Sequence, residues 1–234
     1  HYPLRRQRQM CIRDRVWDPA HDAFIKYDYT LQDVVAGKHK NKAELCEVFG
    51  LDVQKPLFIF IGRLVGEKAA DLLPAVIGDA FYHIGRRMSF LVLGSGDSYV
   101  EAQLNQLRSN SQADYNTYIG YNEGLSHLMY AGADFLLMPS RVEPCGLNQM
   151  YAMRYGTVPL VRNTGGLRDT VRDIGEPEGY GFLFNHATVG DITHAIWRAV
   201  TFYSEKERLQ QAQKRMMPVS YTHLRAHETG RNLV

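Results

Sequence analysis

Only three cysteines occur in the 234 residues, at positions 11, 46 and 145, too far apart for metal-ligand spacing or a disulfide framework. That scarcity excludes a small cross-linked secreted scaffold and points to a reducing cytoplasm. No apolar run approaches the roughly twenty residues needed to cross a bilayer, so no membrane partnership is expected. No internal repeat or low-complexity tract is visible, which excludes solenoids and extended linkers. Charge of one sign is lacking as well: 27 Lys and Arg stand against 25 Asp and Glu, a formal net charge of +2.

Even that small excess is concentrated at the two ends. Arg5 to Arg15 resembles the translation of a transposase adapter used in sequencing libraries, and Val219 to Thr229 resembles its reverse-strand partner. One codon choice for Met10 to Asp14, ATG TGT ATA AGA GAC, reads on the opposite strand as GTC TCT TAT ACA CAT, which encodes Val219 to His223. Residues 1–15 and 218–234 are therefore expected to be disordered adapter sequence at the start and adapter sequence at the end, not basic arms that bind nucleic acid. Those ends hold seven of the basic and two of the acidic residues; without them 20 and 23 remain, a net charge of −3. Nothing then suggests a nucleic-acid partner, and basic side chains are better sought singly, as site residues.

The remaining segment, 16–217, is long enough for one large domain with a substantial core. Short apolar runs at Leu57–Ile61, Ser89–Leu93, Asn116–Ile119, Phe135–Met138, Val158–Val161 and Gly181–Phe184 read as strands. Helical spacing separates them, around Leu72–Phe81 and at Tyr99–Leu107, Glu123–Tyr130, Leu147–Tyr155, Leu167–Ile174 and Asp191–Tyr203. Uninterrupted apolar strands alternating with helices imply an α/β fold, a Rossmann-like parallel sheet with helices on both faces. Residues 16–42 read as irregular and surface-packed, with a short helix at Asn41–Phe49, and a polar helix Ser204–Met217 runs into the terminal segment.

The run from Pro139 to Tyr151, with Glu143, Pro144, Cys145, Gly146 and Leu147 at its centre, is the most informative part of the chain. It places a carboxylate just beyond a strand end and then a glycine-opened helix whose first amides face the same crevice. An open α/β sheet binds phosphorylated ligands there. Gly62, Arg63 and Lys68 follow the first strand, where a guanidinium fork and an ammonium can stabilise charge developing on a leaving diphosphate. The Gly94, Ser95, Gly96, Asp97 loop fails as a dinucleotide fingerprint, because its third glycine would fall at Tyr99; a tight turn into a helix is the favoured reading. Cys145 has no histidine near it in sequence and reads as a small wall residue.

With Tyr130 to Phe135 before it and Ala152 to Pro159 after it, the run resembles the signature of bacterial-type starch/glycogen synthases, retaining glucosyltransferases of the two-domain GT-B architecture. The resemblance covers nearly all of 16–217 and implies the C-terminal, donor-nucleotide-binding half, incomplete at its C-terminal helix. It carries transition-state roles to Arg63 and Lys68, and makes Glu143 the carboxylate that accepts from sugar hydroxyls or steadies an oxocarbenium-like centre. Tyr121 is implied to stand by the adenine, the amides of Gly146 and Leu147 by the distal phosphate, Cys145 in the donor wall, and Thr164, Gly165 and Gly166 at the glucosyl moiety or the neighbouring domain. Two departures stand out: Ala69 follows the lysine where glycine is usual, and Tyr151 occupies the place of a second, ribose-gripping glutamate in many GT-B enzymes, as is usual in the synthases.

The implied reaction moves glucose from ADP-glucose to the non-reducing end of an α-1,4-glucan, with no cofactor and no metal. The N-terminal domain with its lysine-glycine-glycine loop and acceptor surface is not in this sequence, so the chain alone is expected to be inactive. A stand-alone module that binds ADP or ADP-glucose, a related GT-B transferase using UDP-glucose, and, less well supported, a phosphorylase are the alternatives.

Overall fold

A computed structural model of the chain describes residues 16–110, 113–144 and 146–230, with the side chains of 110 and 219–230 left aside. Six strands, β1 (Leu57–Ile61), β2 (Ser89–Gly94), β3 (Tyr115–Ile119), β4 (Phe135–Met138), β5 (Val158–Arg162) and β6 (Phe182–Phe184), form one parallel sheet in the order β3-β2-β1-β4-β5-β6. This is a doubly wound order whose direction reverses between β1 and β4. The central strands β1 and β4 read as unbroken apolar runs because both faces are covered, whereas the edge strand β3 carries Asn116, Thr117 and an exposed Tyr118. Along β1, Phe58 and Phe60 enter one core, while Leu57 and Ile59 enter the other.

Eight α-helices are described: α1 (Val34–Phe49), α2 (Leu73–His83), α3 (Ser98–Asn110), α4 (Glu123–Gly132), α5 (Asn148–Arg154), α6 (Gly165–Thr170), α7 (Val189–Tyr203) and α8 (Lys206–Gly230). The first core takes side chains of α2, α3, α7 and α8; the second takes those of α1, α4 and α6. Asp134, just before β4, accepts from the Leu57 amide (2.8 Å) and the buried Lys42 ammonium (2.7 Å), tying α1 to the starts of both central strands.

Four sequence expectations need correction. The first helix begins at Val34, not Asn41, because its buried face carries Lys38, Asn41 and Lys42, polar groups that hide the apolar period. The segment before it is not surface-packed: Asp22, Ile25 and Tyr29 are buried, and the Tyr29 hydroxyl donates to the Tyr155 carbonyl at 2.7 Å. The helix expected at Leu167–Ile174 is α6, and it ends at Thr170, where Val171 returns to extended backbone. The last helix starts two residues later than expected and continues through Pro218 to Gly230.

Candidate functional site

At the reversal point, the C-terminal ends of β1, β2 and β3 and the start of α5 enclose a crevice of about 300 Å³. Gly62 and Arg63 follow β1, Gly94 ends β2 with Ser95 after it, Gly120 to Asn122 follow β3, and Asn148 and Tyr151 lie in α5. Tyr121 lies on its rim, 84 % exposed, with an uncovered ring available for stacking. The loop after β2 is a turn into α3, as expected. A Cβ on Gly94 would stand 2.1 Å from the Gly62 carbonyl, so only glycine lets the two strand ends approach. Asp97 then accepts from the amides of Tyr99 (2.8 Å) and Val100 (3.2 Å) at the head of α3.

Beside this crevice the segment after β1 is stitched to the segment after β4. The turn Gly66–Lys68 presents the Glu67 carbonyl to the amides of Arg141 (2.8 Å) and Val142 (3.2 Å). Arg141 clamps Asp71 with two bonds, 2.6 and 2.8 Å, and the Arg141 guanidinium holds the Asp71 carboxyl below its ordinary range. The outcome is that Lys68 and Glu143, 75 residues apart in sequence, are joined: the ammonium donates to the Glu143 carboxylate, whose side chain is nearly buried. Ser140 Oγ donates to the same carboxylate oxygen at 3.1 Å. A charge-assisted pair of this kind fixes where the carboxylate points.

Not every expected residue joins that cluster. Arg63 lines the crevice, but its exposed guanidinium faces Glu67 at 3.4 Å and has no bond to Glu143 among the described residues. Gly146 and Leu147 directly precede α5, Gly146 with φ +67° and Leu147 exposed. Thr164 precedes α6 in extended conformation without capping it through its side chain. The glycine pair has a definite job: Gly165 has φ +45°, and a Cβ there would meet the Glu143 carbonyl at 2.2 Å, while the Gly166 amide donates to that carbonyl at 3.2 Å. The close approach is thus to the backbone of the Glu143 loop within this chain. Cys145 lies outside the described residues. Ala69, in the place of the usual glycine, is buried with φ +53°, the left-handed region where glycine costs least.

Several contributors carry no motif. Arg162, the last residue of β5, donates to the Ser140 carbonyl at 2.8 Å and also to that of Arg141, so it holds the loop from behind. Asn148 donates to the Ile61 carbonyl at 2.7 Å, anchoring the first residue of α5 to the end of β1. Trp17 lines the crevice, stacked on His127 at 3.7 Å and on Tyr151 at 4.2 Å between ring centroids. The only signal for these three was position: a charged residue ending an apolar strand, a polar one opening a helix, an aromatic in an otherwise polar stretch.

A doubly wound parallel sheet with an open crevice at its reversal point is the Rossmann-like half of a GT-B glycosyltransferase. The chain belongs to the glycosyl transferases group 1 family, which matches its residues 41–216. Within that family it is similar to the glycogen synthase of Flavobacterium johnsoniae, 51 % identical over 207 residues that cover 88 % of this chain and 44 % of that protein. The glycogen synthase of Treponema denticola is 43 % identical over 209 residues, covering 86 % and 42 %. Among solved structures, the catalytic domain of starch synthase IV from Arabidopsis thaliana, bound to ADP and acarbose, superposes with a TM-score of 0.77 at 32 % identity, covering 92 % of this chain and 47 % of that one. The chain therefore spans less than half the length of the relatives it matches. Among the described residues no helix is long and apolar enough to cross a membrane.

Proposed function

We propose that this chain is the donor-binding half, residues 16–217, of a cytoplasmic glycogen synthase, and that the parent enzyme transfers glucose from ADP-glucose to the non-reducing end of an α-1,4-glucan with retention. The Lys68–Glu143 pair at the reversal point carries the reading, because it sets a cation beside a carboxylate at the strand ends where an open α/β sheet takes its ligand. In this reading Arg63 turns from Glu67 to the diphosphate, and Lys68 is shared between that diphosphate and Glu143. Both act more strongly on the departing diphosphate than on the intact donor, which is the condition for catalysis. Glu143, whose second oxygen has no hydrogen-bond partner among the described residues, orients a sugar hydroxyl and steadies positive charge at the anomeric carbon. The amides of Gly146 and Leu147 receive the distal phosphate, Cys145 lies in the donor wall, Tyr121 stacks on the adenine, and Thr164 with the Gly165–Gly166 turn borders the glucosyl group.

ADP is favoured as the nucleotide by the likeness to the glycogen synthases and to the ADP-bound Arabidopsis enzyme. Half a cleft does not enclose a reacting sugar, so the chain by itself is expected to lack transferase activity. Calorimetric titration with ADP, UDP and ADP-glucose tests the proposal. ADP should bind in preference to UDP, and Arg63→Ala should weaken it about tenfold, the size of one charge-assisted contact. Equal affinity for ADP and UDP, or an Arg63→Ala variant that binds as well as the parent, would overturn the donor assignment.

A further inference from the structure

Among the described residues, the crevice at the reversal point has one basic and one acidic residue in its lining, Arg63 and Glu123, and the proposed reaction uses only the first. Arg63 follows β1, whereas Glu123 opens α4 after β3, and the strand order β3-β2-β1 sets those two strand ends about 10 Å apart. A carboxylate close to a bound diphosphate would repel it. Two strands away, Glu123 stands at the end of the crevice that receives the nucleobase when Arg63 receives the diphosphate. The helix dipole favours an acid in the first turn of α4. It does not require that this acid border a crevice, nor that it lack a partner.

Local geometry sets Glu123 beside Tyr121. Asn122 between them is extended, with φ −150° and ψ 105°, so the side chains before and after it project to the same side of the chain. Both residues line the crevice. Asn122 Oδ1 accepts from the Leu125 amide at 2.9 Å and Ser126 Oγ donates to the Glu123 carbonyl at 2.6 Å, which fixes the first turn of α4. At the start of α5, the Asn148 side-chain amide is already engaged by the Ile61 carbonyl. The Glu123 carboxylate has no hydrogen-bond or ion-pair partner among the described residues. An ionised carboxylate only accepts. Adenine carries an exocyclic amine, a donor, where uracil and hypoxanthine carry a carbonyl oxygen, an acceptor.

We infer that Glu123 is a base-selecting residue: with the adenine ring on Tyr121, its carboxylate accepts from the exocyclic amine and rejects a nucleobase that has a carbonyl at that position. This role rests on the proposed donor site and supplies a physical cause for a preference of ADP over UDP. The test is calorimetric titration of the 234-residue chain with ADP, inosine diphosphate and 2′-deoxyADP. ADP is expected to bind about tenfold more tightly than inosine diphosphate, the size of one charge-assisted contact. Glu123→Ala should bring the two to equal affinity, and Arg63→Ala should weaken both while preserving their ratio. Glu123→Gln, whose amide can donate to the carbonyl, should shift the preference toward inosine diphosphate. Glu123 is exposed, so neither of its variants removes a core contact. The ratio of ADP to 2′-deoxyADP should be the same in the parent and in Glu123→Ala. Equal binding of ADP and inosine diphosphate by the parent, or a ratio that survives Glu123→Ala, overturns the role and leaves the donor site standing. So does a changed 2′-deoxyADP ratio in Glu123→Ala, which would put the carboxylate on the ribose. A folded chain that binds none of the three nucleotides sinks the donor site, and the role with it.

Discussion

At the scale of single residues, the Glu143 loop is defined by what its neighbours leave out. Gly165 combines a left-handed φ of +45° with a backbone approach that puts any Cβ 2.2 Å from the Glu143 carbonyl. Gly165→Ala therefore forces either α6 or the loop to move, at a cost of about 2 kcal/mol or more from strain and overlap together. A loss of unfolding free energy of that size, read as a lower denaturant midpoint, is expected, accompanied by weaker ADP binding; an unchanged midpoint would show that the loop yields freely. The catalytic candidate Glu143 was legible in the sequence because strand end, carboxylate, glycine and helix lie consecutively. Ser140 and Arg162 were not, because the bond between them spans 22 positions and nothing local distinguishes either residue.

Among the elements, α1 shows why polar burial defeats a periodicity search. Its Lys38 ammonium reaches the carbonyls of Tyr130 (3.2 Å), Ala131 (3.0 Å) and Tyr155 (3.1 Å) and the Thr157 hydroxyl (2.7 Å), so one side chain caps the ends of α4 and α5. Cations are favoured at helix C-termini, which accounts for a lysine at this spot. Burial nevertheless pushes Lys38 from its usual 10.5 down to about 7; Asp134 opposes the shift and Lys42 adds to it. Because the folded value is the lower one, the unfolded chain holds the extra proton between about pH 7 and 10.5, and stability rises with pH across that window. The slope is at most about 1.4 kcal/mol per pH unit. Thermal unfolding of the parent, measured against Lys38→Met from pH 7 to 9, should show the parent gaining relative to the variant. Parallel curves would mean that the four oxygens hold the ammonium charged throughout.

At the scale of the whole molecule, the two cores on either side of the sheet are completed by residues between Trp17 and Met217; Met216 and Met217 are the last buried side chains described in α8. We expect a chain trimmed to residues 16–217 to keep its melting temperature within about 2 °C, equivalent to less than about 1 kcal/mol for a domain of this size. It should bind ADP as the full chain does. A larger loss on trimming would show that the terminal segments contribute to the fold, and would count against their origin in adapter sequence.

The sequence by itself determined the class of fold and the position of the candidate site. Apolar runs of four or five residues alternating with helical spacing match a sheet covered on both sides, and β1 and β4 fall where those runs begin and end. The signature around Glu143 is likewise local, since a turn, a carboxylate and a helix start need no distant partner to be recognised. Tertiary structure alone decided which strands are neighbours at the reversal point, that Lys68 closes on Glu143 rather than standing free, and that the paired glycines serve the Glu143 backbone. It also made an aromatic from the first described turn, Trp17, part of the crevice wall. Each of these depends on contacts between segments tens of residues apart, which packing selects and which no window of sequence contains.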